Sequence, residues 1–150
     1  MTAPTETVLV VQDITNDYTV PLTPVPATHG LNTVMHTVAG GDISAGMIYP
    51  STEHEIVQIR KTSSGTTTIT VDCPNACSQG YTTEHDWIAS MAAGDGTPTY
   101  KEIGPLSNYR YATTYGTSTD AVTNHIKITV SGTTTGLEIA VRKFRSSPSE

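Results

Sequence analysis

The chain has 150 residues, 36% hydrophobic and 15% charged, with two cysteines and a net charge of −6. That is one ordinary domain, without the roughly 18 to 20 consecutive apolar residues of a transmembrane helix or a basic segment before VLV to mark a signal peptide. Eight Lys+Arg against 14 Asp+Glu argue against nucleic acid, regular apolar alternation argues against disorder, and two cysteines are too few for a disulfide-stapled scaffold.

Taken in chain order, the segments read as strands. Residues 7–14 form a first strand, and VPLTPVP (20–26) cannot be a central strand because its prolines lack ladder donors. It reads as an extended arm. A short strand follows over 34–38, and Gly40-Gly41 reads as a loop. In 55–61, Val57 and Ile59 point inward while Gln58 and Arg60 point outward. In 66–72, Ile69 and Val71 point inward, with Thr68, Thr70 and Asp72 outward. The short Thr62-Ser63-Ser64-Gly65 link makes these two runs a predicted hairpin. Strands are also expected at 87–91, 100–103 and 109–113, with loops at 94–96 and 113–123. A second hairpin is predicted near the C-terminus. There Ile126, Ile128 and Val130 face inward, then a Ser131–Gly136 turn leads to inward Leu137, Ile139 and Val141. No stretch of ten residues keeps a helical period. The expected fold is all-β, a β-sandwich or jelly-roll-like domain of about eight or nine short strands. Residues 1–30 are an N-terminal strand and proline-containing arm, 31–145 the sandwich, and 146–150 a disordered tail.

Charge is unevenly distributed. The first 59 residues hold Glu6, Asp13, Asp17, Asp42, Glu53 and Glu55 and no Lys or Arg, whereas eight acids balance eight bases from Arg60 onward. The whole −6 therefore lies in the N-terminal part, either a solvated face or a docking surface.

Residues with catalytic chemistry are few. Cys73 and Cys77 in CPNAC are compatible with free thiols, with a local disulfide, or with a metal site completed by His85 or His54. His54 between Glu53 and Glu55, and His85 between Glu84 and Asp86, are the acid–base candidates, but such triplets are more often solvated loops. His125 reads as a surface residue. Trp87, Tyr109, Tyr111 and Tyr115 suit a sugar-binding patch, or more simply packing. There is no G-x-S-x-G elbow and no P-loop. The residues point to a structural or binding domain with no catalytic, cofactor or metal site.

Three segments, EIVQIRKTSSGTTTITVDCP (55–74), MAAGDGTPTYKEIGPLSNYRY (91–111) and HIKITVSGTTTGLEIAVRKF (125–144), resemble in order the small head decoration proteins of tailed bacteriophages. VLVVQDITNDYTVPL resembles the first strand and extended link of that family, while the stretches 73–86 and 113–123 look longer than usual. The resemblance implies a non-enzymatic virion protein on the capsid exterior, made in the host cytoplasm. Its partners would be the phage major capsid protein and its own copies, as a homotrimer, with no nucleic acid, membrane or cofactor. Candidate capsid or subunit contacts are Asp13, Asp17, Pro21, Pro24 and Pro26 in the arm, and Arg142, Lys143 and Arg145 near the C-terminus. The alternative is another virion component: a tail-tube, head-fibre or host-adhesion module.

Overall fold

The computed structural model describes residues 2–14, 35–75, 86–92 and 98–144. Threonine, valine and isoleucine at alternate positions favour the pleated backbone, and the described residues form a two-sheet β-sandwich. The elements are β1 (Thr7–Val8), β2 (Val11–Ile14), β3 (His36–Thr37), α1 (Gly40–Ala45), β4 (Met47–Pro50), β5 (Glu55–Lys61), β6 (Thr66–Val71), β7 (Trp87–Ala92), β8 (Thr99–Ile103), α2 (Asn108–Tyr111), β9 (Ala112–Tyr115), β10 (Val122–Gly132) and β11 (Leu137–Phe144), with one 3₁₀ turn at Ser118–Asp120. One sheet runs β1-β4-β10-β6-β7, with β9 also on β10; the other runs β2-β11-β5-β8, with β3 also on β11.

The expected inward faces are buried, but Gln58, expected to point outward, and Ala140 on the opposite face of β11 are buried too, at 7% and 3%, so β5 and β11 are partly covered on both faces. Val57, Ile59, Ile69, Val71, Ile126, Ile128, Leu137, Ile139 and Val141 are all at most 1% exposed, and Val130 is buried with them. Met47, Tyr49, Leu9 and Met91 complete the same core. Each such aliphatic contributes about 1.5–3 kcal/mol by leaving water.

The two predicted hairpins are not hairpins. β5 and β6 lie in opposite sheets, as do β10 and β11, so each Ser/Gly link is an arch that carries the chain across the core. The ladders instead join one arch to the other. β5 pairs antiparallel with β11, from Leu137↔Lys61 to Lys143↔Glu55, and β6 pairs antiparallel with β10, from Ile128↔Val71 to Gly132↔Thr67. Facing arches bury the same alternate residues that a hairpin would, and also complete two ladders.

Other expectations are corrected in detail. Residues 7–14 are split at Leu9-Val10, because β1 runs parallel to β4 in one sheet while β2 runs parallel to β11 in the other. The 34–38 strand shortens to β3, and Gly40-Gly41 opens α1. Residues 109–113 begin as helix, since the Ser107 carbonyl accepts the N–H groups of Arg110 and Tyr111. The loop 113–123 contains most of β9 and the start of β10. His125 is 8% exposed, not a surface residue. Asn124 has φ 53°, and the β9–β10 register shifts between Val122 and His125, which turns the ring inward. The arm 20–26, the 94–96 loop and the tail lie outside the described residues.

Candidate functional site

The sequence placed its docking candidates at both ends of the chain. Asp13 lies in β2 opposite Lys143 of β11; its side chain, and Asp17, Pro21, Pro24, Pro26 and Arg145 entirely, lie outside the described residues. Lys143 is half-buried. Arg142 is turned toward its own chain: Nη2 is 3.7 Å from Glu102 Oε1, with the Arg142 side chain only 12% exposed. β5 separates β11 from β8 by a single strand, which a long arginine spans.

The described N-terminal acids are likewise bonded internally. Glu6 meets Lys127 at 3.4 Å, bringing β10 to the chain start. Asp42 joins three elements: it accepts hydrogen bonds from the Thr7 hydroxyl and the Ala39 N–H, and pairs with His36 Nε2 at 2.8 Å. Burial alone would raise its pKa, but those hydrogen bonds and the imidazole outweigh it and hold the carboxyl below its ordinary value. In a nucleophilic triad the imidazole stands between hydroxyl and carboxylate. Here the carboxylate stands in the middle, so Thr7 has no imidazole beside it, and the group acts as a clamp.

The acid–base candidates around His54 resolve the same way. Glu55 is 2% exposed and accepts the Thr52 N–H (2.8 Å), the Thr52 hydroxyl (2.6 Å) and the His54 N–H (3.1 Å). Burial opposes its ionisation, yet these donors keep its pKa low. Glu53 accepts the Asn108 N–H at 2.8 Å. Both glutamates thus hold backbone groups of the 51–55 turn and of α2. His85 and Glu84 lie outside the described residues, and Asp86 accepts the Cys73 N–H at 2.7 Å. The Cys73 thiol sits 3.2 Å from the Arg110 carbonyl oxygen; a pairing with Cys77 lies outside the described residues because Cys77 does. No group of three metal-ligating side chains occurs among the described residues, and no helix there is long and apolar enough to cross a membrane. Tyr109 is 73% exposed, while Trp87 and Tyr111 pack against the core.

The most concentrated polar constellation lies where the two arches meet. Lys61 is fully buried and its ammonium donates to the Thr133 carbonyl at 2.6 Å. Thr67, also fully buried, donates its hydroxyl to the same oxygen, and Ser63 donates to the Thr135 carbonyl. Thr62 N–H to Gly136 O (3.1 Å) and Thr133 N–H to Thr66 O (2.9 Å) complete the junction. Burial depresses the Lys61 pKa. Sequence reasoning overlooked this cluster although parity marks it: Glu55 and Lys61 share the inward parity of Val57 and Ile59, and Thr67 that of Ile69 and Val71.

A groove of about 530 Å³ opens beside β11, between β2 and β3, lined by Val8, Val10, Gln12, Met35, His36 and Ala140 among others. Val8 and Val10 are 49% and 77% exposed there. The size suits a small ligand or an inserted side chain, and His36 already holds Asp42. No protein-family model, curated protein or solved structure matches the chain.

Proposed function

We propose that this chain is a non-enzymatic decoration protein of a tailed-phage head, binding the outside of the major capsid protein lattice and stabilising it. The observation that carries the reading is the arch junction. Two of the segments that resemble the family, 55–74 and 125–144, supply both arches and the central strands of both sheets. The resemblance therefore falls on one contiguous frame and not on scattered surface pieces. A stiffening protein needs a frame whose opposite sheets are tied together, and the Lys61–Thr133–Thr67 contacts do this at the end of the sandwich.

The use of polar groups also supports the reading. Asp42, Glu55, Glu53, Glu6 and Arg142 bind their own chain, so these charged groups serve the fold. Outward threonines in β6 keep strand preference without making an apolar patch. In this reading the partners are the major capsid protein and further copies of the chain, a homotrimer by the resemblance, on the capsid exterior. The test adds purified protein to undecorated heads of the phage whose capsid gene adjoins this one. Expected are saturable, symmetry-matched density on the outer surface and a higher temperature of shell disruption. Heads that take up no protein at saturating concentration overturn the reading.

A further inference from the structure

The strand edges differ in how they are protected. β8 carries Lys101 and Glu102, and β1, β3 and β9 are only two to four residues long. β7 has neither device: Trp-Ile-Ala-Ser-Met-Ala contains no charge and no proline over six residues. Among the described residues it has a ladder partner, β6, on one side only. The direction of its backbone groups follows from its neighbours. Thr66 O accepts the Thr133 N–H and the Asp72 N–H reaches Lys127 O, so even-numbered residues of β6 face β10. Alternation aims Thr67, Ile69 and Val71 at Met91, Ala89 and Trp87. The N–H and C=O groups of Ile88 and Ser90 are therefore left at the outer edge, and the Ile88 side chain is 63% exposed. Natural sheets charge, shorten or cover such an edge unless it is used.

We propose that the β7 edge pairs antiparallel with β7 of a second copy about a two-fold axis centred on Ala89. In that register Ile88 and Ser90 of one copy exchange backbone hydrogen bonds with Ser90 and Ile88 of the other. The small serine leaves room for Ile88 to cover its symmetry mate diagonally. Charge selects this occupant. A strongly acidic or basic strand finds no countercharge on β7, whereas a second copy of a chain with net charge −6 can approach where its own surface is neutral. Six residues form a small contact, so association is weak in solution and grows where copies are held side by side, as on a shell. The inference rests on the proposed function only for that setting.

The test needs no shell, so its failure is distinct from failure of the decoration reading. Residues directly opposite in a non-hydrogen-bonded antiparallel pair have Cα atoms about 4.5 Å apart, within disulfide reach. Ala89→Cys, oxidised with copper–phenanthroline, is expected to give a covalent dimer on a non-reducing denaturing gel well beyond that of the wild type. The dimer is expected to disappear when Ile88→Lys is added. Sedimentation of the otherwise unmodified protein should show association that Ile88→Lys or Ser90→Pro weakens roughly tenfold or more. Folded Ala89→Cys protein that gives no extra dimer, as a foreign strand on this edge would also produce, overturns the proposal. So does association unchanged in Ile88→Lys and Ser90→Pro.

Discussion

Lys61 shows how one side chain can serve geometry at a cost in solvation. Its ammonium is fully buried against a carbonyl oxygen that Thr67 also satisfies, and no carboxylate among the described residues forms a salt bridge with it. Lys61→Met keeps the volume and removes the buried charge, so neutral-pH stability is expected to stay within about 1 kcal/mol or to rise. Lys61→Ala is expected to cost about 2–4 kcal/mol through the cavity it leaves; urea titration of both variants measures this. The pH dependence has a definite sign. Burial lowers the Lys61 pKa in the fold, so between that value and the unfolded one near 10.4 the unfolded chain binds more protons. Stability then rises with pH across that window, and Lys61→Met removes this rise. Asp42 behaves oppositely. Its folded pKa is lowered, so its contribution is present above the unfolded value of about 3.9 and is lost as pH falls through the folded value. Asp42→Asn is expected to cost about 1–3 kcal/mol at neutral pH and to flatten that acid loss, as followed by circular dichroism.

At the scale of elements, the arches bring backbone into close approach at Gly132. A Cβ on Gly132 would lie 2.5 Å from the Thr66 carbonyl oxygen, at φ +83°. Gly132→Ala is expected to lower stability by about 1–3 kcal/mol, whereas Gly40→Ala, with open space around it, changes little; thermal melts distinguish the two. Here the sequence was legible in part. Alternation found β5, β6, β10 and β11 and their buried faces, because period-two burial is written in each strand separately. It could not show that the strands on either side of each link lie in different sheets. A hairpin and an arch bury the same alternate residues, and a four-residue Ser/Gly link serves either. What separates them is the partner about eighty residues away, between Leu137↔Lys61 and Lys143↔Glu55, which no local pattern states. The ends of the inward rows held the missing clue, since Glu55, Lys61 and Thr67 are polar residues on buried parity. The described acids of the N-terminal region, Glu6, Asp42, Glu53 and Glu55, make a related point. Net charge counts carboxylates, while hydrogen bonds from Thr7, Ala39, Thr52 and Asn108 decide whether they face a partner or the chain itself.

For the molecule as a whole, the first strands belong to the sandwich. β1 and β2 add to different sheets and Leu9 between them is 5% exposed. Removing residues 1–14 is therefore expected to unfold or strongly destabilise the isolated protein, which scanning calorimetry reads directly. Val71→Asp and Ile139→Asp are each expected to abolish folding, because both sites are essentially closed to water and an unpaired carboxylate there has no partner. Soluble, cooperative protein from either variant would contradict the assigned core.

The strand order also has a consequence for how the protein is made. The last two strands of the chain, β10 and β11, lie in the interior of their sheets, and most other strands join through them. A ribosome delivers the chain from the N-terminus, so β4, β5 and β6 meet only their outer partners, β1, β8 and β7, before β10 and β11 emerge. One sheet is joined only once β10 is available, and the other only once β11 is. Folding is then expected to be slow, waiting on pairings of high sequence separation. Ribosome-stalled chains ending before Leu137 should remain fully protease-sensitive, and protection should appear in one step once β11 is released.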